Sequence, residues 1–204
     1  NLPVSVSIAA NNNGICSGTN VTFTATPTNG GAAPAYQWKR NGVNVGANSA
    51  TYSSTTFANG DIITCVLTSN ATCPTGNPAT SNQVVMTVNP NLPVSVAISA
   101  NNNPICAGTN VTFTAVPTNG GAAPVYQWKR NGVNVGANAT TYSSSTLVNG
   151  DIITCVMTSN ATCPTGNPAT SNQVVIVVTA QPTASVAIVA DANPICAGTN
   201  VTFT

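Results

Sequence analysis

A ninety-residue period governs this chain. The run "NGICSGTNVTFT" at 13–24 returns as "NPICAGTNVTFT" at 103–114 and again at 193–204. Residues 1–90 lie over 91–180 without a gap, and 16 of the 90 positions differ. Solenoid units of roughly 20 to 50 residues must stack on neighbours to close a core, whereas about 90 residues suffice for a core of their own. The chain therefore divides into repeat 1 at 1–90, repeat 2 at 91–180 and the opening two strands of a third repeat at 181–204. The last piece is too short to bury a core. It breaks off inside a strand-like run, and residue 1 already falls within a first strand, so the expectation is a slice of a longer secreted array.

Each repeat reads as a series of short strands. Val4, Val6 and Ile8 alternate with Ser5 and Ser7, which is the period of a half-buried strand A. Strand B is "NVTFTATP" with Val21, Phe23 and Ala25 inward, and strand C is "AYQWKRN" with Tyr36 and Trp38 inward. Asn41-Gly42 is the preferred pair for a type I′ hairpin into "VNV". A strand through "ATYSSTTF" follows, and Asn59-Gly60 then turns into strand F, "DIITCVLTS", whose inward face is Ile63, Cys65 and Leu67. The connection "NATCPTGNPAT" leads to strand G, "SNQVVMTV". Seven strands, turn signals at each junction and no helical period predict an all-β chain of tandem immunoglobulin-like seven-stranded antiparallel β-sandwiches. Trp38 and its counterpart Trp128 are the expected core tryptophans. Ala25 stands where strand B of an antibody-type domain carries its cysteine, and Ile63 where the corner tyrosine would stand. No B-to-F disulfide is therefore expected, and Trp38 is expected to pack on Ala25 and the Cys65 thiol.

Four segments, "ICxGTNVTFTA", "YQWKRNGVNVG", "NGDIITC" and "TCPTGNPATSN", resemble the Ig-like repeats of very large Bacteroidetes surface proteins, among them gliding-motility and adhesin-type proteins exported by the type IX pathway. The resemblance covers the whole repeat. Its most specific part is the cysteine two residues before the A-to-B turn glycine together with one in the F-to-G loop, here Cys16 and Cys73. It implies an extracellular, cell-surface role.

Seven cysteines and no histidine favour disulfides in an oxidising compartment over a zinc site. Strand A starts at the N-terminal pole, so the A-to-B turn bearing Cys16 falls at the C-terminal pole and the F-to-G loop bearing Cys73 at the other. These poles are separated by roughly 30 Å, the length of about nine strand residues, too far for a disulfide. The C-terminal pole of repeat 1, however, faces the N-terminal pole of repeat 2. An interdomain Cys16–Cys163 disulfide is expected, with Cys73, Cys106 and Cys196 pairing outside this stretch, and Cys65 and Cys155 left as buried free thiols. The rival is a Cys65–Cys73 bond within one domain, which needs the F-to-G loop to fold back over the core.

Formally charged side chains make up 3% of the chain against roughly 25% in ordinary globular proteins. A net charge of +1 and the isolated pair Lys39 and Arg40, read as a solvated strand face, give no footprint for nucleic acid or anionic lipid. No stretch reaches the roughly 18 apolar residues of a membrane span. With one Asp per repeat and neither Glu nor His, general acid–base catalysis and calcium binding lack their groups. No cofactor, no metal and no enzymatic activity are expected. The short proline-bearing linker "VNPNLPVSV" and a covalent clamp at each junction point to a stiff stalk or filament module whose partners are the neighbouring repeats. Two other readings stand beside it: a glycan- or protein-binding module using Tyr52 and Tyr142, and lateral self-association through an uncharged Asn/Thr surface. The N-x-Thr triplets at Asn20, Asn70 and Asn138 arise by chance in so Asn- and Thr-rich a chain.

Overall fold

The structure, a computed structural model, describes residues 1–180 and 182–204. Gln181, the first residue of the expected third piece, lies outside the described residues. In repeat 1 the strands are β1 (Leu2–Pro3), β2 (Ser5–Ala10), β3 (Ile15–Cys16), β4 (Val21–Thr28), β5 (Ala35–Arg40), β6 (Val43–Val45), β7 (Thr51–Ser54), β8 (Ile62–Thr68), β9 (Pro74–Thr75), β10 (Ala79–Thr80), β11 (Val84–Val85) and β12 (Val88–Asn89). Repeat 2 follows with β13 (Leu92–Pro93), β14 (Ser95–Ala100), β15 (Ile105–Cys106), β16 (Val111–Thr118), β17 (Val125–Arg130), β18 (Val133–Val135), β19 (Thr141–Ser144), β20 (Ile152–Thr158), β21 (Pro164–Thr165), β22 (Ala169–Thr170), β23 (Val174–Val175) and β24 (Val178–Thr179).

In repeat 1 the antiparallel sheet β2-β4-β7 faces a second antiparallel sheet in which β10 and β11 pair β8, and β8 continues through β5 to β6. This is the immunoglobulin-like order A-B-E against G-F-C-C′, and repeat 2 has the same pairings. The alternating apolar residues place the core: Val4, Val6, Ile8, Val21, Phe23 and Ala25 from one sheet close on Trp38, Ile63, Cys65 and Leu67 from the other. A separate cluster from Val94 to Ile176 forms the core of repeat 2. At the hairpin, Arg40 opposes Val43 and the two loop residues Asn41 and Gly42 have φ of 51° and 80°, both positive as a type I′ turn requires.

Trp38 is fully buried, and its indole N–H donates to the Ser49 carbonyl at 2.8 Å. Its expected seat on Ala25 and Cys65 is incomplete. Cys65 is its cross-strand partner, but the rings around it are Phe23 at 6.2 Å and Tyr52 at 5.9 Å between centroids. Tyr36, expected inward, is half-buried, whereas its counterpart Tyr126 is buried.

Three expectations about strands need correction. Strand G is not one run but three pieces, β10, β11 and β12, and the last leaves strand F to pair in parallel with β3. The break falls at Ser81 and Asn82, whose side chains take over ladder duties. The Ser81 hydroxyl accepts the Cys65 N–H at 2.9 Å, and the Asn82 amide accepts the Ile8 N–H at 2.8 Å and donates to the Ile8 carbonyl at 3.1 Å. Asn82 thus imitates a strand residue and ties β2 of one sheet to the G strand of the other. Next, the strand expected through "ATYSSTTF" shortens to Thr51–Ser54, where Ser54 bends the chain by accepting the Thr56 N–H at 3.1 Å. Finally, the two strands expected in the third piece reduce to one bridge, Ala190 to Phe203. With no opposing sheet among the described residues, Val186, Ile188 and Phe203 remain 91%, 71% and 65% exposed. A lone hairpin is marginal in water. Its register nevertheless matches the complete repeats, where Ala10 opposes Phe23 and Ala100 opposes Phe113.

Candidate functional site

The junction between the repeats is built on backbone hydrogen bonds. Leaving repeat 1, the chain pairs first with the A-to-B turn: Val88 opposes Ile15 and Asn89 opposes Cys16 in parallel, and the Ser17 N–H donates to the Asn89 carbonyl at 3.0 Å. Three residues later it pairs with the F-to-G loop of repeat 2. There Leu92 opposes Pro164, and the Leu92 N–H donates to the Cys163 carbonyl at 2.9 Å. Side-chain amides close the gaps, with Asn91 donating to the Ser17 carbonyl at 3.2 Å and Asn119 to the Pro93 carbonyl at 2.6 Å. A linker so occupied has little torsional freedom left.

These two ladders bring Cys16 and Cys163 side by side. They are joined by a disulfide with a Cα separation of 5.5 Å, inside the range a disulfide spans without distortion. Both backbones have the same shape where no bond is present. The unbonded Cys73 has φ 56° beside 59° for Cys163, and Leu2 donates to the Cys73 carbonyl as Leu92 does to that of Cys163. Likewise the A-to-B turn closes by a Thr19 N–H to the Cys16 carbonyl at 3.1 Å, and by Thr109 to the unbonded Cys106 at 3.1 Å. The local sequence therefore shapes both halves of the clamp before any sulfur is oxidised. Gly18, at φ 86°, supplies the left-handed turn residue.

The other cysteines are free: Cys73, Cys106 and Cys196 are exposed, and Cys65 and Cys155 are buried. The rival Cys65–Cys73 bond does not form, because Cys65 lies on the inner face of β8 and Cys73 faces outward. Burial pushes the Cys65 and Cys155 thiols up to about 11, against a weaker opposing effect of a backbone hydrogen bond. A thiol so disfavoured from ionising is a poor nucleophile.

Lys39 and Arg40 are not a common solvated face. Arg40 shares the parity of Trp38, so it turns inward at the rim, pairs with buried Asp61 at 2.5 Å and lies over the Phe57 ring at 5.4 Å. Burial alone would raise the Asp61 carboxyl, but the Arg40 guanidinium, the Ala58 N–H and the Asn41 amide outweigh it and hold it below its ordinary value. Asp151 is held down in the same way by Arg130, Val148 and Asn131. Side-chain parity along strand C signals the inward face of Arg40 but not its partner. Tyr52, the candidate sugar platform, instead stacks on Phe23 at 6.4 Å and edges Phe57 at 6.1 Å, and a Cβ on Gly46 would lie 2.8 Å from its ring. Tyr142 stacks on Phe113 in the same way at 6.0 Å. Of the N-x-Thr asparagines named above, Asn70 accepts the Ala33 N–H and Asn138 the Tyr126 N–H, so both are committed to loop structure, while Asn20 is exposed. Among the described residues no cluster of three or more His, Cys, Asp or Glu is placed to hold a metal ion, and no helix is long and apolar enough to cross a membrane.

No protein-family model and no curated protein sequence matches the chain. Solved structures do. The full three-domain ectodomain of mouse nectin-like molecule 4 is similar at 18% identity and a TM-score of 0.37, over 89% of this chain and 66% of that one. The fibronectin(III)-like modules of Clostridium thermocellum CbhA are similar at 16% identity and 0.36, over 86% and 94%. The three N-terminal domains of the bacteriophage RB49 outer capsid protein Hoc are similar at 13% identity and 0.37, over 86% and 59%.

Proposed function

We propose that the chain is a stalk module of a long extracellular bacterial surface protein, in which tandem Ig-like repeats form a stiff rod. The observation that carries this reading is the junction, where a six-residue linker is hydrogen-bonded on both halves and flanked by the Cys16–Cys163 disulfide. Domains meant to move are joined by unpaired linkers; this one is paired at both ends, at Val88–Asn89 and at Leu92–Pro93. Disulfide use supports an oxidising compartment, and the sequence resemblance to Bacteroidetes surface repeats suggests an adhesin or motility protein exported by the type IX pathway. Cys73, Cys106 and Cys196 are the matching clamp halves for further repeats. No reaction is assigned, since the buried thiols resist ionisation and the Asp61 and Asp151 carboxylates are committed to ion pairs.

Electron microscopy of a purified tandem array tests the reading. Single unbranched threads with a fixed repeat spacing are expected, and collapsed or randomly kinked chains would refute the stalk. Regular lateral bundles would instead favour a self-associating fibre, a reading supported by the uncharged edge strands β6 and β18, whose Val43 and Val133 are each 68% exposed.

A further inference from the structure

Tension along a chain follows the shortest covalent route between the points of pulling. The two bonded cysteines are 147 residues apart, farther than the 90-residue period of the sequence. From residue 1 the route runs through β1, β2 and β3 to Cys16, crosses the sulfur bond, and leaves from Cys163 through β21 to β24. Everything from β4 to β20 lies off it, including the linker and both tryptophans.

We propose that the Cys16–Cys163 bond is a mechanical bypass that carries load past two sandwiches at once. Without it, force would pass through the linker and reach the two-residue parallel ladders β3–β12 and β13–β21, and then each sandwich in series. With it, residues 17–162 form a covalently closed loop whose folded state sets no limit on the length of the loaded chain. The span also exceeds one repeat, so Cys106 lies inside it. Where the same pairing recurs 90 residues on, successive loops interlock, and between Cys163 and Cys196 only one G-strand region and one A strand bear load. The inference deepens the stalk reading, because a bypass matters only in a protein that is pulled.

The experiment stretches the full chain by its two termini in an optical trap, first without reductant and then with a phosphine reductant added to the same molecule. Non-reduced peptide mapping of the same preparation reads the bond. Before reduction, no step longer than about 100 Å is expected, the gain from roughly 30 loaded residues; after reduction, two further steps of about 250 Å each should appear, one per repeat, as the residues between the two cysteines are released. Cys16→Ser should show the two long steps without reductant, and Cys73→Ser, which leaves the pair intact, should keep the short extension. Absence of the bond from the map, long steps before reduction, or unchanged extension in both the reduced chain and Cys16→Ser would overturn the bypass. Kinked threads in the microscope with the short extension retained would overturn the stalk and leave the bypass standing.

Discussion

Residue by residue, the same side-chain type does opposite work according to burial. Cys65 and Cys155 are small core residues, whereas Cys73, Cys106 and Cys196 are accessible thiols. A thiol-specific reagent at mildly alkaline pH should label three cysteines in the native protein. Unfolding without reductant should raise the count to five and reduction to seven, following the free and bonded sets; more than three labelled at once would show the core thiols to be open. Asp61 and Asp151 give a pH signature. Their folded pKa values are depressed, so the stability they contribute is full above the ordinary carboxylate value and is lost as pH falls through the folded one. Urea unfolding across that acid range should show falling stability, and Asp61→Asn with Asp151→Asn should flatten it. Each substitution should also cost about 3 kcal/mol near neutral pH, because the Arg40 or Arg130 guanidinium loses its partner at the rim of the core.

Among the elements, strand G shows how an asparagine can replace a stretch of ladder. Its run "SNQVVMTV" satisfies every pattern rule for one strand, yet the chain divides it to reach both strand F and the turn after strand A. The Asn82 and Asn172 amides make the division tolerable by pairing with Ile8 and Ile98. Asn82→Ala should therefore cost roughly 1 to 2 kcal/mol, with faster hydrogen exchange at the Ile8 amide and unchanged exchange at the hairpin amides of β5 and β6. An unchanged Ile8 rate would mean that water replaces the amide without loss. Gly42→Ala should weaken the β5–β6 hairpin by about 1 kcal/mol, since its φ of 80° is unfavourable for alanine. Such effects lie outside hydrophobic alternation, because alternation records which face a residue takes and not which backbone group its amide will meet.

For the molecule as a whole, the disulfide and the linker ladders act on the same junction by different means. In the chain-entropy picture a closed loop of 147 residues stabilises the folded state by up to about 5 kcal/mol. Cys16→Ser should lower the unfolding midpoint in the absence of reductant and leave the wild-type and variant midpoints equal in its presence. The linker ladders persist in that variant, so small-angle scattering should show only a modest loss of length. A collapse to a broad distribution of shapes would show that the sulfur bond, and not the ladders, holds the angle between repeats.

The sequence by itself determined the period, the strand identities, the inward faces and the poles at which the cysteines lie, because these follow from local alternation, turn chemistry and the order of strands along the chain. It even carried the Ala190–Phe203 register into a piece without a second sheet. Which residues meet across the sandwich was decided only in three dimensions. The inward turn of Arg40 onto Asp61, the enclosure of Tyr52 by Phe23 and Phe57, and the reach of Asn82 to Ile8 each join positions on different elements. So does the seat of the linker between Cys16 and Cys163. Such contacts depend on how two sheets approach each other, and no window along the chain contains that distance.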